Sequence, residues 1–100
     1  MTDQEVQPGG NAMISREDII GMCGLTEAEV DAVGEHEHLG EVAAACLGAY
    51  LLHEAHGSER IAEMIRDDVR ASLRRGDRGH AKELLAALRH FLSEHPEAMR

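Results

Sequence analysis

The sequence predicts an all-α protein, a small up-and-down bundle of about four main helices preceded by a short N-terminal helix. Hydrophobic residues make up 43% of the chain but aromatic residues only 2%, Tyr50 and Phe91. The core must therefore consist of aliphatic residues and Met, which suits packed helices better than a sheet. The two prolines, Pro8 and Pro96, leave the middle of the chain uninterrupted. Apolar residues recur at helical spacing between capping residues, which also favours helices.

The length of 100 residues predicts one domain, which we place at 15–96, with a disordered tail over 1–14 and a C-terminal tail over 97–100. The net charge of -9 disfavours binding to DNA or to anionic membranes. The N-terminus lacks the basic and apolar regions of a secretory signal, so we expect a cytoplasmic protein. In that compartment Cys23 and Cys46 should be reduced and mostly buried.

Capping residues predict where the first helices begin. Ser15 should cap a short helix that stops at Gly24. Thr26 and Glu29 have the spacing of a capping box, which predicts a helix from about Glu27 to His38. Gly40 should break the helical path there.

The segment from Glu41 to about Ala55 is apolar on nearly every side. A helix of that kind is normally buried all round, so we expect it to be the central and most buried helix. Small residues should let its neighbours approach closely; they are Ala44, Ala45, Gly48 and Ala49.

Two amphipathic helices should follow. Ser58 is the expected N-cap of a helix over about Glu59 to Arg75, and Asp77 that of a helix over about Arg78 to Glu94. The expected apolar face of the first contains Ile61, Ile65, Val69 and Leu73, and that of the second Leu84, Leu85, Leu88, Phe91 and Leu92. The short turns between helices favour antiparallel neighbours. In so small a chain, oligomerisation through an apolar face would add useful burial.

The stretch GEHEHLG is the first candidate site. On a helix, Asp31, Glu35 and His38 would share one face, with Glu27 at its N-terminal end. Carboxylate and imidazole groups together suit Fe, Mn or Zn. The Glu-x-x-His spacing resembles the motif of ferritin-like di-iron proteins, and because the chain has one such motif, a two-metal site would need a second chain. The alternative is a solvated, acidic helix end.

The stretch HEAH places His53 and His56 three positions apart, so both could bind a metal from one face. His53 continues the stripe of Leu39, Cys46 and Tyr50 and is therefore expected to point inward. The alternative, which we favour, is capping of the helix C-terminus by imidazole groups.

A basic segment surrounds the last predicted turn. Against the single acidic residue Asp77 it holds five cations, namely Arg70, Arg74, Arg75, Arg78 and Lys82. This patch could receive an acidic partner or the acidic stripe of another copy. The alternative is complementation of the helix dipole beside a solvated turn. No stacking aromatic lies nearby, so we do not expect nucleic-acid binding.

These features favour a small acidic module for protein–protein interaction or self-association, including a homodimer, without catalytic activity of its own. Neither a nucleophile-elbow motif nor a phosphate-binding loop is found in the sequence, so we predict no catalytic residues and expect no cofactor. The alternative hypothesis is a protein that binds Fe or Zn, either within one chain or at a homodimer interface. Its candidate ligands are Asp31, Glu35, His38, His53 and His56.

Overall fold

The computed structural model describes residues 15–99, which form five α-helices and a final 3₁₀ helix. The helices are α1 (Arg16–Met22), α2 (Glu27–Glu37), α3 (Glu41–Leu52), α4 (Gly57–Arg74) and α5 (Arg78–Glu94), followed by the 3₁₀ helix Pro96–Met99. No strand occurs in this range, so the prediction of an all-α protein is confirmed. The predicted tail over 1–14 lies outside the described residues. None of the helices between residues 15 and 99 is long and apolar enough to cross a membrane.

Three of the predicted N-caps are confirmed. Ser15 and Thr26 each form a complete capping box, with Asp18 and Glu29 respectively. Asp77 caps α5 by accepting a hydrogen bond from the backbone N–H of His80. Each side chain satisfies a backbone donor that the first helical turn would otherwise leave without a partner.

The predicted N-cap at Ser58 is wrong. Helix α4 begins at Gly57, two residues before the predicted start at Glu59, and its N-cap is His56, which adopts a left-handed conformation with φ 62°. Ser58 is instead buried in the first turn. The reason is a close approach at Gly57, where a Cβ atom would lie 1.5 Å from the carbonyl oxygen of Leu51. Only glycine lets the chain turn this tightly from α3 into α4.

The core lies where α4 packs against α5, with α2 across both helices. Side chains from all three helices are fully buried there, including Val33 of α2, Ile61 and Ile65 of α4, and Phe91 of α5. Two predicted core residues, Leu73 and Leu85, are 53% and 42% exposed instead. Both line one groove between α4 and α5, whereas α2 packs along a different side of α5, beside His80 and Leu84.

Helix α3 is not the central helix, so that prediction is wrong. It packs against α1, α2 and α4, and only Ala44, Ala45, Gly48 and Leu51 are buried. The remaining side of the helix is exposed or partly exposed. Helix α4 takes the central position because its long apolar stripe contacts α2, α3, α5 and the 3₁₀ helix.

The segment between α2 and α3 turns at the predicted break. Helix α2 ends at Glu37, and His38 is its C-cap in a left-handed conformation with φ 58°. Gly40 is the N-cap of α3. A Cβ atom at Gly34 would lie 2.9 Å from the carbonyl oxygen of Leu39, so this turn folds back closely onto α2.

The chain beyond Glu94 also packs on the helices. The predicted C-terminal tail over 97–100 includes most of the 3₁₀ helix Pro96–Met99, which contacts α4 and α5. Ala98 is only 4% exposed. Pro96 ends α5 as expected, but the small apolar side chain that follows it still finds a place against the core.

Candidate functional site

The exposed side of α3 is apolar. Val42, Cys46, Ala49 and Tyr50 follow one another at helical spacing and therefore share one face. Val42 is 48% and Tyr50 59% exposed, Cys46 is exposed and Ala49 is partly buried. The expectation of a buried Cys46 is thus wrong, and so is the expectation that the stripe from Leu39 to His53 points inward. The prediction for Cys23 is correct because this thiol is buried.

The opposite side of α3 packs closely because its residues are small. A Cβ atom at Gly34 of α2 would lie 3.4 Å from the Cβ of Ala44, which is tight contact between α2 and α3. A Cβ atom at Gly48 would lie 2.3 Å from Cδ1 of Leu25. The small residues thus let α2, and the loop between α1 and α2 that contains Leu25, approach the α3 backbone closely, as the sequence predicted. This packing fixes which side of α3 is turned outward.

Helix α1 extends the exposed apolar surface. Ile19 and Met22 of α1 form a groove of about 300 Å³ together with Cys46 and Ala49. Met22 is 70% exposed. We call the combined surface of Ile19, Met22, Val42, Cys46, Ala49 and Tyr50 the α1–α3 face.

Charge is nearly absent from this face. Glu41 is the only charged residue of α3, and the eleven residues over 42–52 carry none. Arg16 of α1 donates hydrogen bonds to Glu41 and to Glu27 of α2, including one of 2.7 Å from Nη2 to Glu41 Oε2. The hydrogen bond from Arg16 holds the pKa of Glu41 below its ordinary value. Arg16 therefore joins three helices and neutralises the one acidic residue of α3.

The predicted metal ligands of the first motif are not arranged as their spacing implied. His38 leaves the helix at its left-handed C-cap position, so it does not continue the helical face of Asp31 and Glu35. Glu35 instead lies 2.6 Å from Nε2 of His80 on α5. Asp31 and Glu35 do line a common cleft of about 280 Å³, together with His80 and Glu83.

The two histidines of the second motif are exposed and have different partners. His53 is the C-cap of α3, and its Nδ1 lies 2.8 Å from the carbonyl oxygen of Ala49, the arrangement expected for helix capping. Nδ1 of His56 lies 2.6 Å from Oε1 of Glu59. Across residues 15–99, no three His, Cys, Asp or Glu side chains are grouped so as to hold a metal ion. Metal binding thus stays a prediction without a ligand set.

Histidine–carboxylate pairs connect α2 to α4 and α5. Besides the Glu35–His80 pair, Nδ1 of His90 on α5 lies 2.8 Å from Oε2 of Glu29. His36 lies 3.6 Å from Asp67 of α4. Sequence spacing did not predict His80, His90 and Asp67 as partners of α2, since the two α5 pairs join residues 45 and 61 positions apart. No local spacing signals contacts at that separation.

In these pairs the carboxylates favour the protonated form of the histidines and raise their pKa values. Hydrogen bonding to Glu35 raises the pKa of His80, and hydrogen bonding to Glu29 raises that of His90. For His36, burial is the largest influence and lowers the pKa, but Glu37 and Asp68 more than reverse it, so the net pKa is raised. Each imidazolium is stabilised by a carboxylate.

Asp68 of α4 faces the same region. Its Oδ2 is buried and has no hydrogen-bond partner among residues 15–99. Burial raises the pKa of Asp68, and Glu35 and Asp67 add to the effect, while His36 and His80 oppose it. The region therefore binds protons more readily than isolated side chains would.

The predicted basic patch lies at the turn between α4 and α5, and all five of its residues are exposed. Arg70 donates a hydrogen bond of 3.0 Å to Asp67, and Arg75 donates one of 3.3 Å to Ser72. Arg78 and Lys82 line a groove that also contains the exposed leucines Leu73 and Leu85.

Comparison with family models, curated proteins and solved structures returned no match.

Proposed function

We propose that this chain is a small, acidic, up-and-down helical module of the cytoplasm that forms a homodimer through the α1–α3 face. The observation that carries the proposal is the two-sided apolar character of α3. One side packs on α1, α2 and α4, whereas the other presents Val42, Cys46 and Tyr50 to solvent. A helix that is apolar all round is normally covered on all sides. The free thiol of Cys46 also suits a reducing compartment.

A second copy fits this face for an electrostatic reason. Each chain has a net charge of -9, so two copies repel one another over most of their surfaces. The α3 residues over 42–52 carry no charge, and Glu41 is neutralised by Arg16. The α1–α3 face is therefore a surface over which two copies can meet without burying like charges. A two-fold arrangement places the same face on both partners, and an apolar face complements itself.

The size of the face favours a weak dimer. Twelve residues of α3 extend about 18 Å, and α1 adds Ile19 and Met22 beside them. Such a face falls near the lower end of specific interfaces, which bury roughly 1,200 Å² in total. We therefore expect a dissociation constant of about micromolar order, with dimers in the concentrated protein and monomers after dilution.

Sedimentation velocity over a concentration series tests the proposal. The full chain, in reducing agent, should shift from the monomer mass of 10.9 kDa towards twice that mass as concentration rises. Val42→Glu and Cys46→Glu should each keep the chain monomeric, because each places a charge on the apolar α1–α3 face. Both positions are exposed in the monomer, so folding should be unaffected, as circular dichroism would verify.

The matched control is Leu85→Glu, which adds the same charge to an exposed leucine outside the α1–α3 face. This variant should still dimerise. A chain that stays monomeric at every concentration would contradict the proposal, and so would dimers that are lost with Leu85→Glu but kept with Val42→Glu.

The dependence of the dimer dissociation constant on salt distinguishes a dimer formed through the α1–α3 face from one formed through the basic patch. If the acidic surface of one copy bound the basic patch of the other, added salt would weaken the dimer. An apolar interface between two chains of like charge should instead strengthen, because salt screens their repulsion. We expect the dissociation constant to fall between low and moderate ionic strength.

A further inference from the structure

A second exposed apolar surface lies at the opposite end of α4 from its contact with α3. It is a groove of about 410 Å³ between the C-terminal part of α4 and the N-terminal part of α5. Leu73 and Leu85 contribute most of its apolar side chains and are 53% and 42% exposed. Arg78 and Lys82 complete its walls. No residue of this groove belongs to the α1–α3 face.

The groove lies in the most basic part of the chain. Five of the ten Lys and Arg residues fall between positions 70 and 82, where Asp77 is the only acidic residue. Asp77 is engaged as the N-cap of α5. Among the residues that the structure describes, Arg74, Arg78 and Lys82 form no ion pair with a carboxylate. The positive charge of the groove is therefore available to a partner.

The start of α5 strengthens this positive charge. The N-terminus of a helix has a partial positive charge and favours acidic residues in the first turn. The first turn of α5 has no acidic residue and begins instead with Arg78. Asp77 already satisfies this preference as the N-cap, so Arg78 and Lys82 are cations that the helix start does not require.

We infer that the α4–α5 groove binds an acidic, amphipathic helical segment of another protein. Leu73 and Leu85 would contact two apolar side chains of that helix, while Arg78 and Lys82 would pair with its carboxylates. Helices of this type bind grooves through a few apolar anchors on one face. The positive rim selects an acidic segment because charge complementarity speeds encounter and rejects basic partners.

An anionic membrane fits the same surface less well. Two leucines provide few groups for insertion, and no aromatic residue lies in the groove. A concave groove between two helices matches a single side-chain row better than a flat lipid surface.

Isothermal titration of the full chain with synthetic helices tests the inference. The probe is a capped helix of alanine and glutamate that carries two leucines four positions apart. Two matched probes replace its glutamates by lysines or its leucines by alanines. The chain is used as Val42→Glu, so that any self-association through the α1–α3 face does not contribute. We expect binding of the acidic leucine probe and about tenfold weaker binding of each matched probe.

Variants of the chain locate the binding site. The double variant Arg78→Glu and Lys82→Glu should weaken binding by at least about tenfold, and Leu85→Ser by several-fold. Arg60→Glu is the matched control, because Arg60 is an exposed cation in the first turn of α4, far along the helix from Leu73. It should leave the affinity unchanged.

Four results would overturn the inference. The acidic leucine probe fails to bind, or Arg60→Glu weakens its binding as much as the groove variants do. Vesicles of anionic phospholipid bind more tightly than the probe with the same dependence on Arg78 and Lys82, which would indicate a membrane. In a chain that keeps Val42, the double variant Arg78→Glu and Lys82→Glu abolishes self-association in sedimentation, which would indicate that a second copy occupies the groove. Failure of the dimer proposal leaves these measurements interpretable, because the chain tested is a variant of the α1–α3 face.

Discussion

Helices α3 and α4 are both rich in apolar residues, but they use them differently. Helix α4 has a buried stripe that includes Ile61, Ile65 and Val69, while its other side is charged and exposed. Helix α3 has no such division, since its single charged residue is Glu41 and apolar side chains lie on both sides. In α4 the pattern and the burial agree. In α3 one side of the apolar surface has no covering element among residues 15–99, and this excess is the feature that points to a partner.

Truncating one apolar side chain on each helix gives the largest expected contrast. Ile65→Ala removes a fully buried side chain from α4 and should lower the free energy of unfolding by about 2–5 kcal/mol, because a cavity remains. Val42→Ala on the exposed side of α3 should change it by less than about 0.5 kcal/mol. Urea unfolding at low protein concentration measures both. Equal losses would mean that the outer side of α3 is covered within the monomer.

Removal of a helix cap should have an intermediate effect. Thr26→Ala removes the side chain that accepts a hydrogen bond from the backbone N–H of Glu29 and begins α2. We expect a loss of about 1 kcal/mol in the free energy of unfolding. Thr26→Ser is the control and should retain most of the stability, because its hydroxyl can accept the same hydrogen bond. A loss with Ser equal to that with Ala would show that the methyl group of Thr26, and not its hydroxyl, stabilises the start of α2.

The contacts between α2 and its neighbours predict a dependence of stability on pH. The pKa values of His36, His80 and His90 are raised above the ordinary value of 6.5. Their contribution to stability is complete below that ordinary value and is lost as pH rises through the raised values. Asp68, whose pKa is also raised, changes stability in the same direction. The urea midpoint should therefore be higher at about pH 6 than at about pH 8.

Two variants isolate this effect. His90→Gln removes the contact with Glu29, and His80→Gln removes the contact with Glu35, so each variant should flatten part of the pH profile. A midpoint that rises with pH over this window would contradict the assignment of these ion pairs.

Thiol labelling tests which side of α3 is exposed, and its control variant should have almost no effect on stability. Cys46 is exposed on the α1–α3 face, whereas Cys23 is buried and donates through Sγ to the carbonyl oxygen of Ile20, 3.0 Å away. At concentrations where the chain is monomeric, a thiol reagent should react with Cys46 at nearly the rate of an unfolded chain and with Cys23 far more slowly. Cys46→Ser should abolish the fast phase and leave the unfolding midpoint unchanged. A surviving fast phase would place Cys23 at the surface instead.

Local chemistry made much of the fold predictable. Hydroxyl and carboxylate groups that satisfy nearby backbone donors mark helix starts within a few residues, as at Ser15, Thr26 and Asp77. The boundary at Ser58 was mistaken because the close contact of Gly57 with Leu51 depends on how two helices meet. The Glu-x-x-His motif lost its expected geometry for a similar reason, since His38 ends α2 in a left-handed conformation.

By itself the sequence determined the all-α class, most helix starts, the apolar character of α3 and the basic turn between α4 and α5. These features depend on residues within one or two helical turns of each other. Only the tertiary structure decided which side of α3 is covered, that Leu73 and Leu85 are exposed, and that Glu35 and Glu29 meet His80 and His90. Those outcomes depend on which helices become neighbours, and a competition among all apolar surfaces of the chain determines that arrangement.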